Sequence, residues 1–579
     1  MARLNDWRAT QARWLDRLHA RLAARAKPSR GFTVQPEPRT IGFHARGRQL
    51  IAGNLLFAGH LVEAPDRSLW DVDMPDAAFR DALHGFTWLD DLAAVGDVQA
   101  RTLAQAWVRD WIDRYGRGSG PGWTPELTGR RMIRLVHHGL LLLRGADAAQ
   151  ARRLHQVLAA QTRFLSARTG SAPPGLPRFE ALTGELYGAL TLEGLDRFVE
   201  PARRGLAAEC ARRIDWGGGL PSRNPEDLLD VFTLLTWAQL AFEQAGRPPD
   251  AALGDAIARM APTLRALRHA DGGLARFHGG GRGAEGRLDA ALAASGVRRK
   301  RRDGLAMGFS RLAGGRTTVI ADAAPPPSGR ASAAAHASTL AFELTSGRRP
   351  LIVNCGAGDD FGEGWRRAGR ASPSHSTLCL NARSSARLVP ARRGRGEWLA
   401  QGPGTVPAQF SRSAQAEIFE GGHDGYVAEY GLTHARCLSL GLDGRSLRGE
   451  DYLVALDEPG KRRFAAALGN AERSGLPFRI HFHLHPDVDV ALETDGTGAS
   501  MALRSGEMWG LRFDGAAEIA VEPSVYLEHG RLQPRATKQV VLSGRAMEYA
   551  TRVRWTLEKT QDTALAVRDL VQDEADEYV

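Results

Sequence analysis

Ala333–Asn381 reads AAAHASTLAFELTSGRRPLIVNCGAGDDFGEGWRRAGRASPSHSTLCLN. Two short apolar runs, Thr339–Leu344 and Pro350–Cys355, predict strands. A loop rich in Gly, Asp and Arg follows, and Ser376–Asn381 predicts a third strand. His336 and His375 stand at the mouths of these runs, and Asn354 ends the middle one. This is how polar side chains collect at the edge of a β-sheet, so the second half of the chain reads as β and this edge as the place to look for chemistry.

Downstream the two-residue period continues. AEIFEGGHDGYVAEYGLTHARCLSLGLDG, FRIHFHLHPDVDVALETDG and MEYATRVRWTLEKT alternate apolar and polar residues, with Gly, Asp and Asn hairpin signals between them. About a dozen or more such runs imply stacked antiparallel sheets. Upstream, from about residue 98 to 270, the period is helical. Leu103, Trp107, Trp111 and Tyr115 form one apolar stripe in ARTLAQAWVRDWIDRYG. The helices that follow begin at Pro, Asp or Asn and several stop near Gly, which predicts consecutive antiparallel hairpins. Periodicity alone leaves a bundle, a solenoid and an α/α toroid open. The predicted division is an irregular region over 1–90, a helical domain over 91–300, a β domain over 301–570 and an acidic tail over 571–579. The basic run Val297–Arg302, VRRKRR, reads as a solvated linker.

The chain has 579 residues, 43% hydrophobic and 25% charged, ordinary for a globular protein. No run is apolar enough for a transmembrane helix. The first segment, MARLNDWRATQARWLDRLHARLAARAK, has no apolar core of a secretory signal. It reads as a surface helix or as a peripheral membrane contact through its basic face. A cytoplasmic location is the simplest expectation. The net charge of +10, carried mainly by Arg, favours anionic partners. Zinc-finger, RNP-like and P-loop patterns are missing, so nucleic acid is not expected. Cys210, Cys355, Cys379 and Cys437 form no C-x-x-C pair and read as buried free thiols.

A helical-hairpin half followed by an antiparallel β half, with AHASTLAFELTSGRRPLIVNCG and WRRAGRASPSHSTLCLN in the latter, resembles the heparinase II/III-like family of polysaccharide lyases. HDGYVAEYGLTHAR, FHLHPDV and YLEHGRLQPRATKQVVL add to the likeness. The resemblance implies an incomplete α/α toroid joined to an antiparallel β-sandwich, with an acidic, uronate-containing polysaccharide as partner in the cleft between them. It also implies β-elimination: a base removes the C5 proton, a neighbouring group neutralises the uronate carboxylate, and the C4 oxygen leaves. Family members commonly work in the periplasm or cell envelope, which conflicts with the missing signal. Several hold a structural zinc, although none is required for the chemistry.

Matched residue by residue, the family's H-x-H-x-D strand keeps its second histidine as His336, while Ala334 and Ser338 replace the first His and the Asp. Asn354 stands where an Asp is usual, and His375 matches the histidine of the loop R-x-S-x-x-H-N-T. The family's tyrosine falls on Asp227 and its Asn-His pair on Ala181–Leu182. The catalytic candidates are therefore His336, His375, Tyr426 and Tyr430, with Tyr187 and His423 as further proton carriers. Arg223, Asn224, Trp216, Arg366, Arg367 and His434 are the substrate-binding candidates, and His336, Asn354 and His375 the candidate zinc ligands. His481, His483 and His485 fall on one strand face, read as the polar face of a sheet edge. His137–His138 reads as helix packing, and Trp123 joins Trp216 as a sugar platform. A lyase with a rebuilt acid–base set, a non-catalytic glycan-binding relative and a protein-interaction scaffold all remain open.

Overall fold

The computed structural model describes residues 2–298, 304–389, 397–470 and 474–563. The expected acidic tail and Arg299–Arg302 of the basic run lie outside the described residues.

Capping side chains set the helix starts. The carboxylates of Asp76, Asp97 and Asp147 and the hydroxyl of Thr124 each accept from a backbone N–H one turn on, and Asp147 completes a capping box with Gln150. Phe86 and Gly96 close two helices in the left-handed conformation. The helix Pro125–His137 packs on Leu176–Thr191, which also packs on Ala148–Arg168 and Val199–Arg213. Leu176–Thr191 is buried from Phe179 to Thr191, Glu180 and Glu185 included, so its apolar residues are not confined to one stripe.

The first 90 residues differ from the irregular reading. They hold the helices Ala2–Ala24, His44–Ile51, Ala77–Gly85 and Trp88–Val95 and a hairpin of Asn54–Phe57 with His60–Glu63. Three of these helices have nine residues or fewer, too short for a periodic signal to stand out.

Among the described residues the β half holds, besides a small pair of Arg387–Val389 with Trp398–Ala400, two eight-stranded antiparallel sheets. One runs, edge to edge, through Ala408–Arg412, Ala416–His423, Thr433–Gly441, Ser446–Val454, Ala550–Gln561, Met508–Asp514, Gly498–Leu503 and Val488–Leu492. The other runs through Ala517–Tyr526, Arg535–Ala546, Leu476–Leu484, Arg349–Val353, Phe342–Ser346, Thr317–Asp322 and Phe309–Gly314, with Leu378–Leu380 also paired to Leu476–Leu484. They share one core. Phe342 stacks on Trp555 at 5.6 Å between centroids, and Phe482 meets the same indole edge-on at 4.9 Å. Alternation holds where one face is wet, as in Thr433–Gly441, and disappears where both faces are covered, as in Thr317–Asp322.

In the opening stretch the strands are Phe342–Ser346, Arg349–Val353 and Leu378–Leu380. The first begins three residues later than predicted. Leu340 takes a left-handed backbone, φ 63°, which ends the approach to the strand with a turn.

The chain forms two compact units, and their division differs from a cut at residue 300. The helical unit is Met1–Gly218, Leu229–Ala261 and Ala290–Val297. The β unit is Gly219–Leu228, Pro262–Asp289 and Arg298–Val579. Two short excursions of the helical half thus belong with the sheets.

Candidate functional site

Those excursions carry the residues that complete the β unit around His336 and His375. Arg223, itself in a left-handed backbone (φ 50°), sends its guanidinium into the unit. It donates to the carbonyls of Met307, Gly308, Ala324 and Pro325 and to Asp322 Oδ1 at 2.5 Å. All its donors face protein atoms, so the expected uronate clamp is a buried structural cation. Asn224, the next residue, accepts from the N–H groups of Glu226 and Asp227 at 2.9 and 3.2 Å and caps the helix Pro225–Gln244.

Asp322, wholly buried, also accepts from Ser338 Oγ at 2.7 Å and faces His278 Nε2 at 3.5 Å. Ser338 occupies the position of the family's aspartate, so a hydroxyl there serves a carboxylate supplied from the strand Thr317–Asp322. Hydrogen-bond partners fix the tautomers. His375 Nδ1 lies 2.9 Å from the Ala371 carbonyl, which can only accept, so Nδ1 carries the proton and Nε2 is a lone pair. His336 Nδ1, 3.0 Å from that lone pair, must then donate. The His336 backbone N–H donates to His278 Nδ1 at 3.2 Å, which leaves the His278 proton on Nε2, toward Asp322. The three rings are neutral. Burial holds His375 down at about 4, and burial together with neighbouring cationic groups holds His278 and His336 well below the ordinary imidazole value.

The zinc set does not fit. His336 and His375 are spent on each other. The Asn354 amide accepts from Ser376 N–H at 3.0 Å and donates to Glu343 at 3.2 Å. Among the described residues no group of three or more His, Cys, Asp or Glu is placed to hold a metal ion.

The other candidates are also committed. Tyr426 is buried in the sandwich core and donates to the Leu378 carbonyl at 3.0 Å, with burial pushing its phenol well above the ordinary value. Tyr430 accepts from Asn381 at 3.1 Å. Tyr187 lies in the helical unit beside His137, 3.1 Å away, and burial raises its phenol too. His423 Nδ1 accepts from the Gly425 N–H, so its Nε2 donates to His434 Nδ1 at 3.2 Å, and His434 Nε2 donates to Asp451 at 2.8 Å. Asp451 also accepts from Arg436 and the Trp555 indole. Burial raises this carboxyl, but Arg436 and His434 outweigh it and hold it far below the usual range.

Arg366 pairs with Asp359 at 2.9 Å and with Glu363 at 3.3 Å. Arg367 is exposed, 3.6 Å from Glu397. Trp216 is 82% exposed. Trp123 does not: it is buried against Trp111 and Phe164 and donates to the Tyr115 carbonyl. His481 and His483 are buried on an interior strand, not at an edge, and His485 is buried just past its end. His483 Nε2 donates to the Pro373 carbonyl at 2.9 Å and its Nδ1 accepts from Ser524. His138 is bound to Asp90 at 2.9 Å.

Sequence reasoning missed Asp322, Asp451 and Arg276. Arg276 lies over the Tyr526 ring, 4.0 Å from its centroid, and donates to the carbonyls of Asn354, Cys355 and Leu527. Asp322 closes an otherwise apolar strand just before Ala-Ala-Pro-Pro-Pro, and an acid at such a strand end was the available signal.

Residues 296–556 match the family model described as "Heparinase II/III-like, C-terminal". The chain is 32% identical over 545 residues to FtsZ-localized protein C of Caulobacter vibrioides, covering 92% of this chain and 91% of that one. Among solved structures it is similar to heparinase III (TM-score 0.66, 12% identity, 90% of this chain and 85% of that chain). It is also similar to the heparan sulfate lyase HepC of Pedobacter heparinus (TM-score 0.54, 14% identity, 96% and 89%). The fold is therefore that of the heparinases, a helical toroid-type half followed by an antiparallel β-sandwich, and by sequence and fold together the chain belongs to the heparinase II/III-like family.

Proposed function

We propose that this chain is a non-catalytic member of its family, one that works by binding and recruitment and not by β-elimination. The observation that carries the reading is the pairing of His336 with His375. The two histidines that match family positions spend their facing nitrogens on each other, and the outer nitrogen of His375 on a backbone carbonyl. A β-eliminating site needs a group of suitable pKa free to reach a C–H proton and another to neutralise a carboxylate. Here the imidazoles are buried and neutral, the tyrosines are core hydrogen-bond partners, and Arg223 is consumed by Asp322.

The partner is proposed by similarity. A relative 32% identical over nearly the whole length bears the name FtsZ-localized protein C, which supports recruitment to FtsZ assemblies. The test has two arms. Purified chain incubated with heparan sulfate, chondroitin sulfate and polyuronates is expected to give no ultraviolet absorbance from an unsaturated uronate. The same protein is expected to co-sediment with FtsZ polymers assembled in GTP. Absorbance that rises with wild type and is lost in His336→Ala would overturn the non-catalytic reading. Absence from the FtsZ pellet would overturn the recruitment reading. A second reading, retention of an acidic polysaccharide without cleavage, is favoured by the net charge of +10 and by the exposed Trp216. Its readout is salt-dependent retention on immobilised heparin, weakened by Trp216→Ala.

A further inference from the structure

The helix Ala2–Ala24 has two unlike sides. One is fastened to the helical unit. Asp16 is buried in an ion pair with Arg168 at 2.7 Å, and Ala20 and Ala23 are buried. Gln156 donates to the carbonyls of Ala24 and Ala26, and Arg163 to that of Lys27. The helix is thus a fixed part of the fold, and its other side has no role in the core.

That other side carries two parallel rows. Trp14, Leu18 and Leu22 follow one another at four-residue steps and are 59%, 39% and 51% exposed. Such spacing puts the three on one line along the helix. Beside them Arg17, Arg21 and Arg25 form a second line at the same step, all exposed. None of these three arginines is ion-paired among the described residues, and the exposed positions from Gln11 to Lys27 include no carboxylate. Large apolar side chains left in water are informative when they line up.

We propose that this face is a docking site for an anionic lipid surface, in which Trp14, Leu18 and Leu22 enter the headgroup–acyl boundary and the arginines hold lipid phosphates. Trp suits that boundary because its indole is apolar in body and polar at its N–H. The arginines can lay their methylenes along the apolar row while the guanidinium stays with phosphate. Charge decides against a second copy: a two-fold contact would set basic row against basic row. Length decides against a coiled-coil partner: the apolar row covers Trp14 to Leu22, far short of the three to four heptads such a partner needs. This inference concerns a different part of the molecule from the proposed function and stands whether or not that reading holds.

The test is co-sedimentation of the full chain with vesicles of phosphatidylglycerol in phosphatidylcholine, and with phosphatidylcholine alone. Binding is expected only to the anionic vesicles and is expected to fall with added salt. Arg17→Gln/Arg21→Gln/Arg25→Gln is expected to weaken it about 100-fold, at about five-fold per arginine. Trp14→Ala/Leu18→Ala/Leu22→Ala is expected to weaken it at least ~10-fold. All six side chains are exposed, so both variants should keep the wild-type circular dichroism spectrum. If the apolar variant did not, the arginine variant would decide alone. Wild-type protein left in the supernatant with anionic vesicles overturns the proposal, as does vesicle binding that folded variants retain. A dimer by light scattering that the apolar substitutions dissolve also overturns it, because the row would then be covered by a second copy.

Discussion

Arg223 shows how far the role of one residue depends on where its side chain ends. As a surface arginine it would suit a uronate; as found it neutralises Asp322 inside the β unit. Arg223→Ala leaves that carboxylate buried without its cation and is expected to cost about 3–5 kcal/mol of stability, read from urea unfolding. Arg223→Ala/Asp322→Ala should cost less than the single change. An Arg223→Ala protein of wild-type stability with weaker retention on heparin would restore the ligand role. The histidines give a second test. His278, His336 and His375 are held below the ordinary value of 6.5 in the folded chain and regain it when unfolded, so between the two values the unfolded state binds more protons. Stability from them is complete above about pH 6.5 and falls as the pH drops toward the folded values, about 4 for His375, by about 1.4 kcal/mol per pH unit for each histidine charged only when unfolded. Denaturant midpoints measured across that window check this, and a flat profile contradicts the neutral assignment. The sequence singled out His336 and His375 together. Their being bonded to each other was not legible there, because ring tautomers are set by partners such as the Ala371 carbonyl that only the folded chain supplies.

At the scale of the element, Asn224 is the clearest case of a site residue that proves to be a helix cap. Asn224→Ala is expected to destabilise by about 1 kcal/mol, and Asn224→Asp or Asn224→Ser to recover most of it, by thermal melting. A substrate-binding role would instead leave the melting temperature unchanged. Alternation placed Phe482 and Leu484 in the core and His481 and His483 on the opposite face of Leu476–Leu484, with His485 just beyond the strand. It could not show that the strand is interior, since flanking by Arg535–Ala546, Arg349–Val353 and Leu378–Leu380 is a matter of sheet order and not of local pattern. Trp123 was misread for a related reason. Its turn-like surroundings suggested exposure, but the aromatic cluster of Trp111 and Phe164 that covers it comes from two separate helices.

For the molecule as a whole, the change of period near residue 300 was visible, and it marks the change from helix to sheet correctly. It does not mark where one unit stops, because Gly219–Leu228 and Pro262–Asp289 belong with the sheets. No pattern within those segments announces this; the bonds of Arg223 and Arg276 to distant carbonyls do. A fragment of residues 304–563 is accordingly expected to lack cooperative thermal unfolding and sharp near-ultraviolet dichroism, having lost both arginines and His278. A fragment that melts as a single transition, like the full chain, would show that the excursions are dispensable.

The same interleaving sets an order of events on the ribosome. Arg223 leaves the exit tunnel 99 residues before Asp322, and Arg276 leaves 251 residues before Leu527. At translation rates of about 5–20 residues per second, Arg276 waits on the order of ten to fifty seconds for its last acceptor. Arg276 therefore waits while 251 of the 579 residues are made and Arg223 while 99 are, so Pro262–Asp289 stays without its sheet partners long after it has left the ribosome.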